Sequence, residues 1–540
     1  MEAHVREMEP SRANGISVLG IERGHEAVQG LQRPGNPLAR LVRHPALPSD
    51  RAASVAAILL FCAVLLAPLA LVDVPPLLDY PNHLARLVVL ASGRTDAILS
   101  SFYAPRWDII PDLGIDVVGP VLISVLPIHV AGRLLIAIAV LLPVLGVLAY
   151  GRATSGPNPW IFGVGLVAWN GTVLEGFLNF TASIGLALLL AAAWLRWRDD
   201  RPVRTVTAVA AGAVALFFCH LLGLLFLGLL IGTHEAAVLW RRRGGWVGFA
   251  VGRLLASAII FAVPLLLYGL SDLHGLGGDA EFLPAAEKLR QTLIPFVNYN
   301  ATLDRLAALA VVVFLLGCLA KRRLRATLAA SLALGLLTVI YLIAPFAYKG
   351  TSNLDTRLVI MFGYMLFAGL MPVPPRRAAI GATAVFALIF LLRMGVLAAA
   401  WDAHGADVAE LRAVIANVPP GSTVMVATGD HPGNARRLSN GLRTDGHMPA
   451  LLLIERRAWW PLMFDNASQQ PIMTREPYRD LASRVGGMLD VSALGGLDLR
   501  GLNYLLVIEA GPRPVIPLPA ARRLEPVSAN EFAALYRVTP

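Results

Sequence analysis

The stretch "RAASVAAILLFCAVLLAPLALVDVPPLLDYPNHLARL", residues 51–87, decides how the rest of the chain is read. Its first part, 52–72, is an apolar run of the length needed to cross a hydrocarbon core of about 30 Å. The run is too long for a signal-peptide core and has no small-residue cleavage site, so it reads as an uncleaved first span. Directly behind it come Asp79, His83 and Arg86, three polar side chains at the point where the chain leaves the membrane.

Working outward, the same apolar pattern recurs. The chain is 56% hydrophobic and only 15% charged, well below the roughly 25% charged residues of a soluble globular domain. Spans are expected at 52–72, 129–150, 159–173, 177–195, 205–219, 221–240, 249–270, 305–320, 327–345, 357–372 and 378–400, eleven in all. The apolar residues do not alternate with polar ones, which excludes a β-barrel. The chain is therefore expected to be a polytopic α-helical membrane protein. Cys62, Cys219 and Cys318 each lie inside an apolar run, so no disulfide framework is expected.

The net charge of +10 is explained by where the arginines lie. With the N-terminus inside, one set of loops carries Arg152, then Arg196, Arg198, Arg201 and Arg204, then Arg241 to Arg243. It continues with Lys321, Arg322, Arg323 and Arg325, and ends with Arg376 and Arg377. This is the positive-inside pattern, and it removes the need for a nucleic-acid partner. An extra crossing at 115–128 would reverse every later loop, so that short apolar segment is read as non-spanning. Residues 1–50 are read as a disordered cytoplasmic leader and 51–400 as the transmembrane domain. Residues 401–540 are read as an extracytoplasmic α/β domain. There "ELRAVIANVPPGSTVMVATG" (410–429) reads as helix, turn and strand, and "LNYLLVIEAGP" (502–512) as a second buried strand. The stretches "ATGDHPGN" (427–434) and "ERRAWWPLMFDNASQQP" (455–471) are the most polar parts of that domain. Trp459 and Trp460 in the second suit either sugar stacking or the membrane surface, with the surface preferred.

Polar residues gather at the outer loops. Asp79 followed by Tyr80-Pro81 suits a helix start, and His83 and Arg86 then share one helix face. A capping Asp with a snorkelling Arg is the structural alternative. Glu175 and His220 lie at outer boundaries, where a charge is costly unless it faces protein or water; a structural Glu175–His220 pair is the alternative. In "FAYKGTSNLDTRLVIMFGY" (346–364), Lys349, Asp355 and Arg357 place cations against the positive-inside bias. Either an anionic ligand or an Asp355–Arg357 ion pair accounts for them. No GxGxxG, GxxxxGK[ST] or metal-spaced Cys/His motif is present.

This arrangement resembles the GT-C superfamily of integral-membrane glycosyltransferases, with Asp79 in "LLDYPNHLARL" (77–87) at the place of that family's essential loop-one acid. The resemblance covers the span layout, this Asp and the C-terminal domain. It departs from the common Asp-Glu or Asp-x-Asp pattern. It implies sugar transfer from a polyprenyl-phosphate-linked donor to an extracytoplasmic acceptor, in the inner membrane of a bacterium with the C-terminal domain in the periplasm. Asp79 is then the general base, with His83 as a second catalytic candidate. Lys349, Arg357 and Arg86 hold the lipid phosphate, and Glu175, His220 and Asp355 are supporting polar groups. No protein-bound metal or cofactor is expected, although a divalent cation is compatible with the family. A transporter or flippase of a lipid-linked or anionic substrate, and a non-catalytic assembly protein, are the alternatives.

Overall fold

The structure, a computed structural model, describes residues 48–92, 95–242, 246–275, 277–429, 436–466, 469–485, 487, 489–509, 511, 513–517 and 520–539. The expected leader therefore lies outside the described residues up to 47, as do 430–434 of the stretch 427–434.

A helical segment lies in each of the expected spans. The helices are α1 (Pro48–Leu66), α2 (Tyr80–Ser92), α3 (Gly114–Val125), α4 (Ile128–Ser155), α5 (Leu178–Trp197), α6 (Pro202–Cys219) and α7 (Leu221–Arg241). They continue with α8 (Trp246–Leu270), α9 (Ala301–Ala320), α10 (Leu328–Ile343), α11 (Leu354–Gly369) and α12 (Arg376–Ile415). Local chemistry starts several of them. Asn300 Oδ1 accepts from Leu303 N at 3.0 Å to cap α9, and Thr327 Oγ1 accepts from Ala330 N at 3.2 Å to cap α10. Among the described residues, 7 helices are long and apolar enough to cross a membrane: α4 to α9 and α12. The helices in 327–345 and 357–372 are shorter, 16 residues each, and the apolar helical part of the expected first span is Val55–Ala70.

The segment 159–174 departs most from expectation. It is broken into a 3-10 turn (Pro159–Val164) and two single turns (Gly165–Ala168 and Gly171–Leu174), the last capped by Asn170. Residues 164–174 are all buried in protein. Irregular backbone is tolerated at membrane depth only where protein, not lipid, surrounds it, and hydropathy alone does not distinguish the two. Segment 115–128 forms α3, whose 12 residues extend only about 18 Å at 1.5 Å per residue. That is too short to span. Its valines 117, 118, 121 and 125 are exposed, while Asp116 faces inward.

Small residues bring the central pair together. A Cβ on Gly185 of α5 would lie 2.1 Å from the Leu142 carbonyl carbon of α4, and one on Gly146 would lie 2.8 Å from the Gly185 oxygen. Such close backbone approach is how helices pack when lipid removes the hydrophobic driving force.

The expected domain boundary at 400/401 falls inside α12. This helix runs 40 residues without a break, about 60 Å at the standard rise, or twice the hydrocarbon thickness. Beyond it, β1 (Val424–Thr428), β2 (Leu489–Asp490), β3 (Tyr504–Ile508), β4 (Leu524–Ala529) and β5 (Ala533–Val538) form one mixed sheet in the order β2-β1-β3-β5-β4. β1 pairs parallel with β2 and β3, and β5 pairs antiparallel with β3 and β4. Both strands expected from sequence, in 410–429 and 502–512, are present.

The C-terminal region packs onto one end of the bundle. Strand Tyr103–Pro105 of the first loop pairs antiparallel with Ile472–Thr474. Asn82 Nδ2 donates to Leu462 O at 2.6 Å, and its Oδ1 accepts from Phe464 N at 3.0 Å. Arg393 of α12 pairs with Asp304 of α9, and Ser439 Oγ donates to the same carboxylate at 2.5 Å. Trp459 and Trp460 are buried in this packing. That corrects their expected place at the membrane surface: the apolar rings fill the core between the first loop and the sheet.

Candidate active site

The chain from Pro75 to Asp79 is pinned before α2 begins. Leu78 N donates to Leu174 O and Asp79 N to Glu175 O, each at 3.0 Å. Gly176 makes this possible in two ways. Its φ is +93°, and a Cβ there would stand 2.9 Å from the Asp79 Cβ and N atoms. Only glycine meets both demands without strain.

Asp79 starts α2 through its carbonyl, which accepts from His83 N at 2.9 Å. Among the described residues no backbone N–H donates to its carboxylate, so the capping alternative has no geometric support here. The carboxylate instead lines a cavity of about 400 Å³ and has His447 Nδ1 3.3 Å from its Oδ1. His447 comes from the C-terminal region, and its ring stands edge-on to Phe464 with centroids 5.1 Å apart.

The cavity lies where the first loop, the 175–180 turn, the α6–α7 junction and the start of α11 meet, under residues 463–470. His83 lines it one turn beyond Asp79, edge-on to Phe464 at 5.8 Å. Burial holds its imidazole neutral, well below the ordinary histidine range. His220 lines it too. Its backbone ends α6 and its Nδ1 accepts from Leu222 N at 3.1 Å to start α7, so it does not form the Glu175 pair considered from sequence.

Arg357 is the one cation lining the cavity among the described residues. Its guanidinium lies over Phe177, 4.7 Å from the ring centroid, and near Phe180. Only 8% of the residue is exposed, yet Nε and Nη1 have no hydrogen-bond partner. Unpaired buried donors cost about 1–3 kcal/mol each, and these two N–H groups are open to an acceptor.

Other expected residues stand apart. Arg86 is paired with Asp116, by Nε–Oδ1 at 2.7 Å and Nη2–Oδ2 at 3.0 Å, both side chains buried, while its Nη1 has no hydrogen-bond partner. Its charge is balanced by Asp116, and it does not line the cavity. Asp355 faces Lys288 Nζ at 3.5 Å and accepts from Gln291 at 3.3 Å, so the Asp355–Arg357 pair does not form. Lys349, at a φ of +52°, is outside the lining, although Gly350, Thr351 and Ser352 belong to it. Glu175 sits behind Asp79, its carboxyl pushed up to about 7 by burial and then by the Asp79 charge.

Two lining residues, Asp112 and Asp465, and His447 beside Asp79 were not singled out from sequence. His447 has no local signal. Asp465 lies in a stretch read for its tryptophans. Asp112 sits in the Pro111-Asp112-Leu113-Gly114 turn, a pattern that marks a loop but not its place at a cavity wall. Among the described residues no group of three or more His, Cys, Asp or Glu is arranged to hold a metal ion.

Neither a protein-family model nor a curated protein matches the chain. Among solved structures it is similar to ArnT from Cupriavidus metallidurans bound to undecaprenyl phosphate, with a TM-score of 0.53 and 12% identity over 89% of this chain and 98% of that one. The apo state of the same protein matches with a TM-score of 0.51 and 13% identity over 90% and 98%. Identity this low establishes the fold alone: the chain has the GT-C-like membrane fold with a C-terminal sheet region.

Proposed function

We propose that this protein is a membrane glycosyltransferase that moves a sugar from a polyprenyl-phosphate donor to an acceptor outside the cytoplasm. The observation that carries this reading is one cavity, at the end of the bundle, lined by both the Asp79 carboxylate and the unpartnered Arg357 guanidinium. Undecaprenyl phosphate bound to a protein of the same fold supports it.

In this reading the lipid phosphate meets Arg357 Nε and Nη1. The donor sugar lies between Arg357 and Asp79, and Asp79 takes the proton of the acceptor hydroxyl as it attacks the anomeric carbon with inversion. Positioned base catalysis contributes about 10²–10⁴-fold. Lys349, on the loop whose next residues line the cavity, guides the anionic head group. The N-terminus and the Arg-rich loops face the cytoplasm of a bacterial inner membrane, and the cavity faces outward. Deleting the gene is expected to make one polyprenyl-phosphate-linked sugar accumulate, and membranes containing the protein are expected to consume that lipid in vitro. An unchanged lipid-linked sugar pool in the deletion strain would count decisively against the reading.

His447 makes the C-terminal region part of the chemistry. Standing beside the Asp79 carboxylate, it acts as a positioning residue. His447→Ala is expected to lower kcat by about 10²-fold, the typical cost of misplacing a reacting group by 1 Å, with KM for donor little changed. His447→Gln, which keeps a side-chain N–H, is expected to recover part of that loss. Equal losses in both variants, or a loss confined to KM, would exclude the positioning role.

A further inference from the structure

We infer that Asp112 is a second catalytic carboxyl, a general acid that protonates the departing lipid phosphate. This rests on the glycosyl-transfer reading above and names the group that completes it.

The geometry singles Asp112 out. It lines the same cavity as Asp79 and Arg357. Its φ is +92°, a left-handed conformation that Asp and Asn adopt more readily than other non-glycine residues, here held by its surroundings. The enforcement is visible. Asn179 Nδ2 donates to the Asp112 carbonyl at 2.8 Å, Asn179 Oδ1 accepts from Ile115 N at 2.8 Å, and Leu113 N donates to Phe218 O at 2.6 Å. A turn held this firmly at a cavity wall fixes where its side chains are placed.

The surroundings also set its protonation. The groups facing it are Arg86 from α2, Asp116 from α3, Asn179 from α5, Cys219 at the end of α6 and Arg357 from α11. Arg86 and Asp116 neutralise one another, which leaves burial as the dominant influence, and it pushes the Asp112 carboxyl up to about 7.

The step balances. The acceptor oxygen bonds to the anomeric carbon while the bond from that carbon to the phosphate oxygen breaks, its electron pair leaving with the oxygen. The acceptor proton goes to Asp79 and the Asp112 proton goes to the phosphate. Solvent then returns a proton to Asp112 and removes one from Asp79. The donor phosphodiester carries one negative charge, whereas a phosphomonoester loses its second proton near pH 6. A neutral acid beside Arg357 therefore offsets charge that develops only as the bond breaks, which is where catalysis gains most.

The test is the pH dependence of transfer by Asp112→Asn and Asp112→Gly. Both residues accept a positive φ, so the turn is preserved. Wild-type kcat/KM should fall as pH rises through about 7, because the acid is present below its pKa and lost above it. Either variant should lower kcat on the order of 10²–10⁴-fold, keep KM within a few-fold, and lose that alkaline limb. Glu175→Gln should retain the limb. If wild type transfers sugar and the Asp112 variants keep both the limb and the rate, this inference fails while the transferase reading stands. If wild type transfers none, the reading beneath it fails.

Discussion

Asp79→Asn is expected to abolish sugar transfer while leaving the fold intact. The two side chains have the same shape, and Asn is as good a helix N-cap as Asp. The backbone bonds from Leu78 and Asp79 to residues 174 and 175 do not involve the side chain. Asn cannot accept the acceptor proton, so a loss of about 10²–10⁴-fold follows from removing the base alone. The effect on thermal stability should be small. If the residue only capped α2, the pattern would be reversed: Asn tolerated, and Ala destabilising by about 0.5–2 kcal/mol. The decisive comparison is transfer by wild type, Asp79→Asn and Asp79→Ala at matched protein levels, with melting temperatures measured on the same samples. Near-normal activity from the Asn variant would remove Asp79 from the mechanism.

Asp79 was legible because a carboxylate at a membrane exit is costly and so calls for a reason. The same cost pointed to His220, the departure from the positive-inside bias pointed to Arg357, and helix spacing pointed to His83, and all three line the cavity. Helix spacing also pointed to Arg86, but spacing identifies a face and not the partner on it. Asp116 lies in a segment that reads as apolar, and it accepts from Arg86 Nε and Nη2. The span layout was legible for a related reason. Hydropathy records what a segment avoids, namely water, and α4 to α9 match that record closely. The record does not separate lipid from protein interior, so the broken segment 159–174 read as an ordinary span. Nor does it mark where a helix leaves the membrane and keeps going, so the end of the last span at 400 was taken for a domain boundary inside α12. His447 shows the remaining gap. It meets Asp79 only because the C-terminal region folds back over the first loop through the pairing of Tyr103–Pro105 with Ile472–Thr474. Long-range strand pairing of three residues leaves no mark in either segment alone.

Arg357→Ala is expected to remove the charge on which the leaving group depends. No other cation lines the cavity among the described residues, so no neighbour can substitute. Removing one preorganised donor to a developing oxyanion typically costs about 10²–10³-fold in kcat. Here charge on the phosphate grows from one toward two as the sugar departs, so the loss should fall more on kcat than on KM. Arg357→Lys should recover only a fraction. Lys restores the charge, but it cannot present two N–H groups in a fixed fork or stack as a plane on Phe177. A second readout needs no turnover. The unpaired Nε and Nη1 groups are satisfied once a phosphate arrives, so undecaprenyl phosphate should raise the melting temperature of wild type, as any ligand of the folded state does. It should raise that of Arg357→Ala far less at the same lipid concentration. The charge also couples to the acid across the cavity. Arg357 holds the Asp112 carboxyl lower than burial alone would, so without it the alkaline limb of residual activity should move to higher pH. Equal thermal shifts in wild type and variant, with the limb unmoved, would mean that the guanidinium faces no phosphate and that the lipid binds elsewhere.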